Sequence, residues 1–413
     1  MKNQLRRDIN LVAAVGIGLG AIIGAGIFVV TGVAAGVAGA AFLIGLLLAG
    51  VVAAFNALSS AQLAATYPQS GGTYEYGHQV LQPWLGFTAG WMFLASKLAA
   101  GGTVALGFAG YLHALIPAVP EKPAAIAAVL LLTAINYFGV QKTGLLNTII
   151  VSISVLSLLI FVFAGIPSFD LNNLQPFAPT GLTGVLQSAA LLFFAYTGYA
   201  RLATLGEEVR EPRKTIPRAI ILALGIAAIL YAAVALVAVG NVGAEGMAAS
   251  SAPIEAAAGA FRWPQVNRVV AVGATTAMLG VLLSQILGIS RMIFAVPRRG
   301  DLPGAPAHVH PKHAIPDRGL YITAAAMLLV VLFGTLKWIV AAAAFTILLY
   351  YSITNLAALR MRVEDRLYPK WIPVLGLISC LGLAFTLDVR VILSGLALFV
   401  AGFVLRWIFR LWA

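Results

Sequence analysis

Three glycines interrupt an apolar segment near the start of the chain, and their spacing would expose backbone groups to a ligand. Residues 20–28 read GAIIGAGIF. Small residues four apart, such as Gly20 and Gly24, suit close helix packing, but Gly24 and Gly26 together weaken a helix locally. A break there frees N–H groups, which suit a carboxylate, and carbonyl groups, which suit an ammonium group. Residues 16–21, GIGLGA, match a dinucleotide fingerprint, but the absence of Asp or Glu from the next 40 residues argues against that fold.

The elements that must position these glycines are apolar helices. Hydrophobic residues make up 61% of the 413 residues, charged residues only 10%, and the mean hydropathy is +0.96. Apolar runs of about 17–25 residues recur along the chain, each long enough to cross a ~30 Å hydrocarbon core. The twelve or so runs lie at residues 11–31, 38–65, 85–115, 124–138, 146–164, 182–205, 218–239, 266–296, 320–336, 338–360, 371–386 and 390–412. The sequence therefore predicts an all-α integral membrane protein, with residues 1–413 forming a single transmembrane domain.

The distribution of Lys and Arg predicts the orientation in the membrane. With the N-terminus inside, the inner segments hold about 16 of these residues and the outer segments roughly four. Both termini are therefore predicted to be cytoplasmic, in the cell membrane. The net charge of +12 is spread over short loops, so it does not require a nucleic-acid partner. The single cysteine, Cys380, lies in an apolar run and cannot form an intramolecular disulfide; we expect it to be a packing residue.

A second glycine with polar neighbours interrupts the sixth run. Residues 193–201 read FFAYTGYAR, with Gly198 near their centre. Transporters built from inverted repeats place two broken helices at corresponding positions of their two halves, and this stretch lies five runs after the first break. A tolerated glycine packed among aromatic side chains is the alternative interpretation.

Four motifs, in order along the chain, resemble those of the amino acid–polyamine–organocation superfamily. They are residues 20–28, GAIIGAGIF; residues 67–76, YPQSGGTYEY; residues 207–218, EEVREPRKTIPR; and residues 290–303, SRMIFAVPRRGDLP. The resemblance implies a LeuT-like fold with discontinuous helices 1 and 6. It implies two inverted repeats over residues 11–164 and 182–360, followed by two further helices over residues 371–412.

The same resemblance implies a substrate site between helices 1 and 6. A carboxylate would bind backbone at Gly24, Ala25 and Gly26, and an amino group would bind carbonyl groups near both breaks, with Phe194 as a gating aromatic. The implied site residues are Ile22, Ile23, Gly24, Ala25, Gly26, Ile27, Phe194, Ala195, Tyr196, Thr197 and Gly198. Ala25 stands where the family often has Ser or Thr, and Ala200 where some carriers of cations have a carboxylate. These departures favour neutral amino acids as substrates.

Lys97 is the most unusual charged residue. It lies 12 residues after Leu85, where the third run starts, and therefore roughly 18 Å into the membrane. Placing a charge at the centre of a membrane helix is unfavourable by about 2.5–3.5 kcal/mol, so such residues are usually functional. Proton-coupled relatives carry a lysine on the fifth helix, where residues 150–155 have none. We hypothesise that Lys97 takes this role; a fixed charge bonded to carbonyl groups, or a tilted helix that brings Lys97 to the interface, are the alternatives.

Other polar residues have weaker claims to function. Arg201 is expected near the inner end of the sixth run, paired with Glu207 or Glu208. Ser284 and Gln285 would face the pathway or form interhelical hydrogen bonds. Three histidines of one inner loop have a spacing that could suggest a metal site, but no cysteine or helical i,i+4 context supports one. We therefore expect them to be solvated; they are His308, His310 and His313.

The sequence thus predicts a secondary active transporter of amino acids that works by alternating access, as proton-coupled uptake or exchange. Its partners would be a small-molecule amino acid, protons and the lipid bilayer, with no metal or cofactor. A permease or exporter for another small organic cation or for potassium is the alternative within the fold, and a substrate-gated sensor is a further one. An enzyme is disfavoured because no carboxylate pair, His cluster or Ser/His set lies at membrane depth.

Overall fold

The described part of the chain is built from helices and contains no β-strand. The computed structural model describes residues 9–67, 71–138, 144–203, 209–296, 308, 310 and 315–412. The α-helices are α1 (Leu11–Ile22), α2 (Thr31–Ala38), α3 (Phe42–Thr66), α4 (Thr73–Val80), α5 (Pro83–Leu115), α6 (Glu121–Tyr137), α7 (Gly144–Gly165), α8 (Gly181–Tyr196), α9 (Ala200–Ala203), α10 (Pro212–Ala248), α11 (Pro253–Gly259), α12 (Val266–Ala295), α13 (Asp317–Phe333), α14 (Leu336–Arg360), α15 (Trp371–Ala384) and α16 (Val389–Trp412).

Eight helical stretches of the described chain are long and apolar enough to cross a bilayer. The first of them, Leu11–Thr66, contains two of the predicted runs. The helices α6 and α13 have 17 residues each, at the lower limit for a spanning helix, and α15, with 14 residues, is shorter than that limit. The count of about twelve spans therefore stays a prediction.

The first apolar run is interrupted at the predicted glycines. Helix α1 ends at Ile22, and Ile23 has the extended backbone angles φ −75° and ψ 109°. The chain then forms a π-helical segment, Gly26–Val30, which leads directly into α2. The N–H groups at the start of this second segment have no preceding helical turn to bond to. The break therefore places free backbone donors beside Gly24, Ala25 and Gly26.

The sixth run is interrupted in a different way. Helix α8 ends at Tyr196 and is followed by a 3-10 turn, Thr197–Tyr199, before α9 begins at Ala200. A 3-10 turn is tighter than an α-helix, so the backbone hydrogen bonds change direction at Thr197–Tyr199. No residue of this turn has extended backbone angles, in contrast to Ile23 in the first interruption.

Two predicted runs differ from the observed helices, and a glycine with positive φ lies just before the first of these helices and inside the second. The second run starts at Phe42 rather than residue 38, because Gly39 has φ 63° and ends α2. The seventh run extends from Pro212 to Ala248 rather than over residues 218–239, and it is kinked at Gly243, which has φ 68°. Side chains other than glycine rarely adopt such angles.

Helix α5 lies at the centre of the bundle and packs against α4, α6, α12, α13 and α14. Helix α1 packs mainly against α10, and α8 packs against α2 and α3. By contrast, α7 and α16 expose most of the side chains of their apolar segments. The core is therefore formed around α5 and the two interrupted runs, while α7 and α16 present apolar faces to the surroundings.

Candidate functional site

A small cavity lies where the two interrupted runs meet. Its volume is about 40 Å³. Its walls are Ala21, Ile22, Gly24, Ala25 and Gly26 from the first run, Phe194, Ala195, Thr197 and Gly198 from the second, Lys97 and Val104 from α5, and Val281 and Gln285 from α12. Small-molecule sites usually measure roughly 300–1,000 Å³, so the cavity in this structure is far smaller than such a site.

Glycines allow the two runs to cross in direct contact. A β-carbon built on Gly26 would lie 2.6 Å from the Cβ of Ala195, and one built on Gly198 would lie 2.5 Å from the backbone nitrogen of Ile22. Real side chains do not approach so closely. Gly24 is different, because a β-carbon there would lie 3.1 Å from Val281 across the cavity. Gly26 and Gly198 thus permit the crossing, and Gly24 keeps space open beside it.

Tyrosine hydroxyls occupy two carbonyl groups of the first interrupted run. Tyr231 on α10 donates a hydrogen bond of 2.8 Å to the carbonyl oxygen of Ile22, and Tyr111 on α5 donates one of 2.6 Å to that of Phe28. The N–H of Ile23 still bonds the Leu19 carbonyl of α1, at 2.8 Å. The carbonyl of Ile22, which was expected to accept the substrate amino group, therefore already has a donor.

The carbonyls of the second interrupted run are also partly occupied. The Thr197 hydroxyl donates to the Phe194 carbonyl at 2.9 Å, and the Tyr351 hydroxyl donates to the Thr197 carbonyl at 3.5 Å. No side-chain donor to the Ala195 carbonyl is present among the described residues, and this oxygen would lie 3.3 Å from a β-carbon on Gly26. The Ala195 carbonyl is thus the expected acceptor that remains next to the first break.

Three of the expected site residues do not line the cavity: Ile23, Ile27 and Tyr196. Ile27 is fully buried, and its carbonyl accepts a hydrogen bond of 2.7 Å from Thr31. The hydroxyl of Tyr196 donates to the Leu46 carbonyl at 3.3 Å, away from the cavity.

Lys97 and Gln285 are the polar side chains with the longest reach in the cavity wall. The Lys97 ammonium lies 5.4 Å from the centre of the Phe93 ring, a cation–π distance. The amide oxygen of Gln285 is buried and has no hydrogen-bond partner among the described residues. Lys97 was identified from its charge, whereas the sequence left Gln285 undecided between pathway and packing. Ala21, Val104 and Val281 were missed, because nothing in the sequence distinguishes a cavity-lining alanine or valine from one that packs inside an apolar bundle.

The remaining sequence candidates fall outside the cavity wall. Arg201 is exposed on α9, close enough to Lys97 for the two cations to repel each other. Its expected partners, Glu207 and Glu208, lie outside the described residues. Ser284 donates to the Gly280 carbonyl of its own helix at 3.0 Å.

The loop histidines make contacts with neighbouring side chains. The ring of His308 forms a 2.7 Å hydrogen bond with the Asp317 carboxyl, and His310 lies 3.3 Å from the Tyr137 hydroxyl. His313 lies outside the described residues. No cluster of His, Cys, Asp or Glu in the described ranges could hold a metal ion.

The short helix α11 covers the π-helical segment that follows the first break. The Tyr111 hydroxyl, which donates to Phe28, also accepts a hydrogen bond of 3.2 Å from the Ile254 N–H of α11. Next to it, Asn267 donates to the Glu255 carboxyl at 3.0 Å. Burial raises the pKa of the Glu255 carboxyl, and the hydrogen bond from Asn267 offsets this only in part. Tyr111 thus joins α5, the interrupted run and α11.

Two interrupted helices that meet around a cavity inside an apolar bundle are the arrangement of a membrane transporter. Residues 14–407 match the family of amino acid permeases, and the chain belongs to this family.

Its relatives include an uncharacterized transporter of Mycobacterium tuberculosis, 42% identical over 97% of this chain and 90% of the relative. The methylthioribose transporter of Bacillus subtilis is 33% identical over 90% of this chain and 86% of the relative. The branched-chain amino acid permease BcaP of Bacillus subtilis is 30% identical over 76% of this chain and 72% of the relative.

These comparisons confirm the resemblance that the four motifs indicated. The protein is a multi-pass integral membrane transporter of amino acids or related small molecules, and it is not an enzyme.

Proposed function

We propose that the protein is a secondary active transporter of neutral amino acids, which works by alternating access as proton-coupled uptake or exchange. The observation that carries the proposal is the cavity between the two interrupted runs, whose wall contains both the backbone of Gly24–Gly26 at the first break and Lys97. A zwitterion needs donors for its carboxylate and acceptors for its ammonium group, and this wall offers both.

The substrate carboxylate would bind the N–H groups around Gly24, Ala25 and Gly26. The ammonium group would then face two acceptors, the Ala195 carbonyl, which receives no hydrogen bond from a described side chain, and the Gln285 amide oxygen, which is buried without a partner among the described residues. Phe194 and Val281 border the same space and would have to move apart, because about 40 Å³ is too small for any amino acid. Such movement is what alternating access requires.

The charge of the cavity wall favours a neutral substrate. Lys97 lines the cavity, Arg201 lies nearby, and the wall contains no carboxylate among the described residues. A cationic amino acid, a polyamine or potassium would bring a further positive charge into a low-dielectric site without a counter-charge. This disfavours the cation permease as the alternative.

A neutral polar substrate other than an amino acid is the second candidate. Lys97 and Gln285 could hydrogen-bond a sugar hydroxyl, and one relative is named for methylthioribose and another for branched-chain amino acids. The same transport experiment distinguishes these substrates.

Lys97 is proposed as the proton-coupling residue. Its side chain lines the small cavity between the two interrupted runs. For coupling, this cavity would open to one side of the membrane at a time, so that the Lys97 proton exchanges with that side alone. Coupling requires this alternating exposure.

The test is uptake into proteoliposomes of radiolabelled amino acids and methylthioribose, with and without an inward proton gradient. Three proteins are compared: the wild type, Lys97→Gln, and Lys337→Gln, which removes an exposed lysine at the start of α14. We expect gradient-stimulated uptake of a neutral amino acid that Lys337→Gln keeps and Lys97→Gln loses by at least about tenfold. Unchanged uptake and pH dependence in Lys97→Gln would exclude the coupling role. Absence of amino acid flux under any gradient or counter-substrate would exclude the substrate class.

The two inverted repeats, the cytoplasmic termini and the cell membrane location belong to the same proposal. The only cysteine, Cys380, is buried, so single cysteines introduced at residue 12 or at residue 263 would report on their own sides of the membrane. An impermeant thiol reagent should label intact cells at residue 263 and not at residue 12. The opposite pattern would reverse the proposed orientation.

A further inference from the structure

An apolar groove on the membrane-facing surface ends at an arginine that has no counter-ion among the described residues. The groove lies between α7 and α12 and has a volume of about 430 Å³. Its walls are Ile153, Leu156, Ser157 and Ile160 on α7 with Val269 and Val272 on α12, and Arg268 stands at its end. This groove is separate from the central cavity and shares no residue with it.

The shape of the groove follows from the packing of the two helices. Gly273 lies directly against Ser157, so α12 touches α7 at that level. The Ser157 hydroxyl donates a hydrogen bond of 2.8 Å to the Ser154 carbonyl, so its hydrogen already has an acceptor within α7. The side chains on either side of this contact remain exposed, for example Leu156 at 57% and Val272 at 48%. The result is an apolar groove in which the hydroxyl at the base, that of Ser157, already donates a hydrogen bond.

The length and direction of the groove suit an acyl chain. The residues of α7 extend from Ile153 to Ile160, about 10 Å along the helix axis. Arg268 is in the first turn of α12, and exposed Trp263 lies just before that helix. Tryptophans and arginines at the ends of spanning helices mark the height of the lipid headgroups. The groove therefore runs from headgroup level toward the hydrocarbon interior.

Arg268 is available for a ligand at this height. Its guanidinium has no hydrogen bond or ion pair with the part of the chain that the structure describes, and it is exposed. No acidic side chain lines the groove. An arginine binds phosphate oxygens with two parallel hydrogen bonds, and it does so more strongly where water is partly excluded.

We propose that this groove binds one anionic phospholipid, with an acyl chain between α7 and α12 and the headgroup phosphate on Arg268. Because α12 also carries Val281 and Gln285 of the central cavity, the bound lipid would contact a helix of the transport site. The lipid site does not depend on which substrate the transporter carries.

The test is native mass spectrometry of the purified protein after exchange into an equimolar mixture of phosphatidylglycerol and phosphatidylcholine. Arg268→Gln is compared with Arg390→Gln, which removes an arginine from the first turn of α16, away from the groove. We expect the wild type and Arg390→Gln to retain one phosphatidylglycerol in preference to phosphatidylcholine. Arg268→Gln should lose this preference by roughly fivefold. No preference in the wild type, or equal losses in both variants, would overturn the proposal.

A second variant tests the groove with Arg268 intact. Val272→Trp fills the channel at an exposed position, where folding should tolerate the change, and we expect it to reduce phosphatidylglycerol retention as much as Arg268→Gln. Full retention in Val272→Trp would mean that the headgroup binds without the groove. Displacement of the lipid by millimolar glycerol phosphate would indicate a site for soluble anions instead. Either result would exclude the proposed lipid site.

Discussion

Gly26 and Ala195 lie in direct contact although they are 169 positions apart in the sequence, and no side chain fits between them. A β-carbon on Gly26 would lie 2.5 Å from the Cα of Ala195, which is itself 3% exposed. This contact joins the first interrupted run to the second at the wall of the central cavity. The cavity therefore depends on a glycine at position 26 more directly than on any polar side chain.

Replacing Gly26 with Ala should disrupt both stability and transport. The obstacle is backbone, which cannot rotate away as a flexible side chain would, so one run must shift. We expect the free energy of unfolding in detergent to fall by about 1–3 kcal/mol and uptake to fall by at least about tenfold.

The matched control is Gly225→Ala on α10, where a β-carbon meets no atom within 4 Å. Alanine is the better helix former, so this variant should be neutral or more stable by up to about 1 kcal/mol. Wild-type stability and transport in Gly26→Ala would show that the crossing of the two runs is looser than the contact indicates.

Gln285→Leu should separate stability from transport. The change removes a buried amide oxygen without a hydrogen-bond partner, so the substrate-free protein should gain about 1–3 kcal/mol of stability. If the oxygen accepts from the substrate, KM should rise roughly tenfold or more. Thermal unfolding and uptake kinetics measure the two effects. The neighbouring variant Ser284→Ala should change neither strongly, because Ser284 bonds only within its own helix. An unchanged KM in Gln285→Leu would remove this residue from the substrate site.

Tyr111→Phe should loosen the cover that α11 forms over the interrupted run. The variant loses the bonds to the Phe28 carbonyl and the Ile254 N–H but keeps the ring, which packs edge-on against Phe28 at 5.8 Å. We expect a loss of about 1–3 kcal/mol in stability. A cysteine introduced at buried Ala252 should then react several-fold faster with a maleimide, since buried Cys380 contributes little background. Tyr321→Phe, at an exposed tyrosine of α13, is the control, and equal labelling rates would contradict the role of Tyr111.

Glu255 should make stability depend on pH. Burial raises its pKa above the ordinary 4.5, so the folded protein binds this proton more tightly than the unfolded chain does. Its contribution is therefore most favourable at low pH and is lost as the pH rises from about 4.5 through the folded-state pKa. The melting temperatures of the wild type and Glu255→Gln should be measured from pH 4 to 8 at intervals of about one pH unit. We expect the melting temperature to change with pH at a different slope in the two proteins within this window. Parallel curves would show that Glu255 is solvated.

Some of the site could be predicted because glycine and charge are rare in apolar helices. Gly24 and Gly26 indicated the interruption that follows Ile22, and Lys97 was singled out by its charge at membrane depth. The second interruption was located near Gly198, but its form, a 3-10 turn, was not predicted. The hydroxyl of Tyr231 on the Ile22 carbonyl could not be anticipated, since the two residues are 209 positions apart.

The sequence by itself determined the class of the protein, its construction from apolar helices and the two places where apolar runs are interrupted. These follow from hydropathy, from glycine and from short motifs, all of which are local properties. Only the tertiary structure decided which side chains face the cavity, which carbonyls already have a donor, and where an apolar groove meets Arg268. The physical reason is that membrane helices are apolar on the faces that meet lipid and on the faces that meet protein, so hydropathy cannot tell Val281 in the cavity from Val272 in the groove.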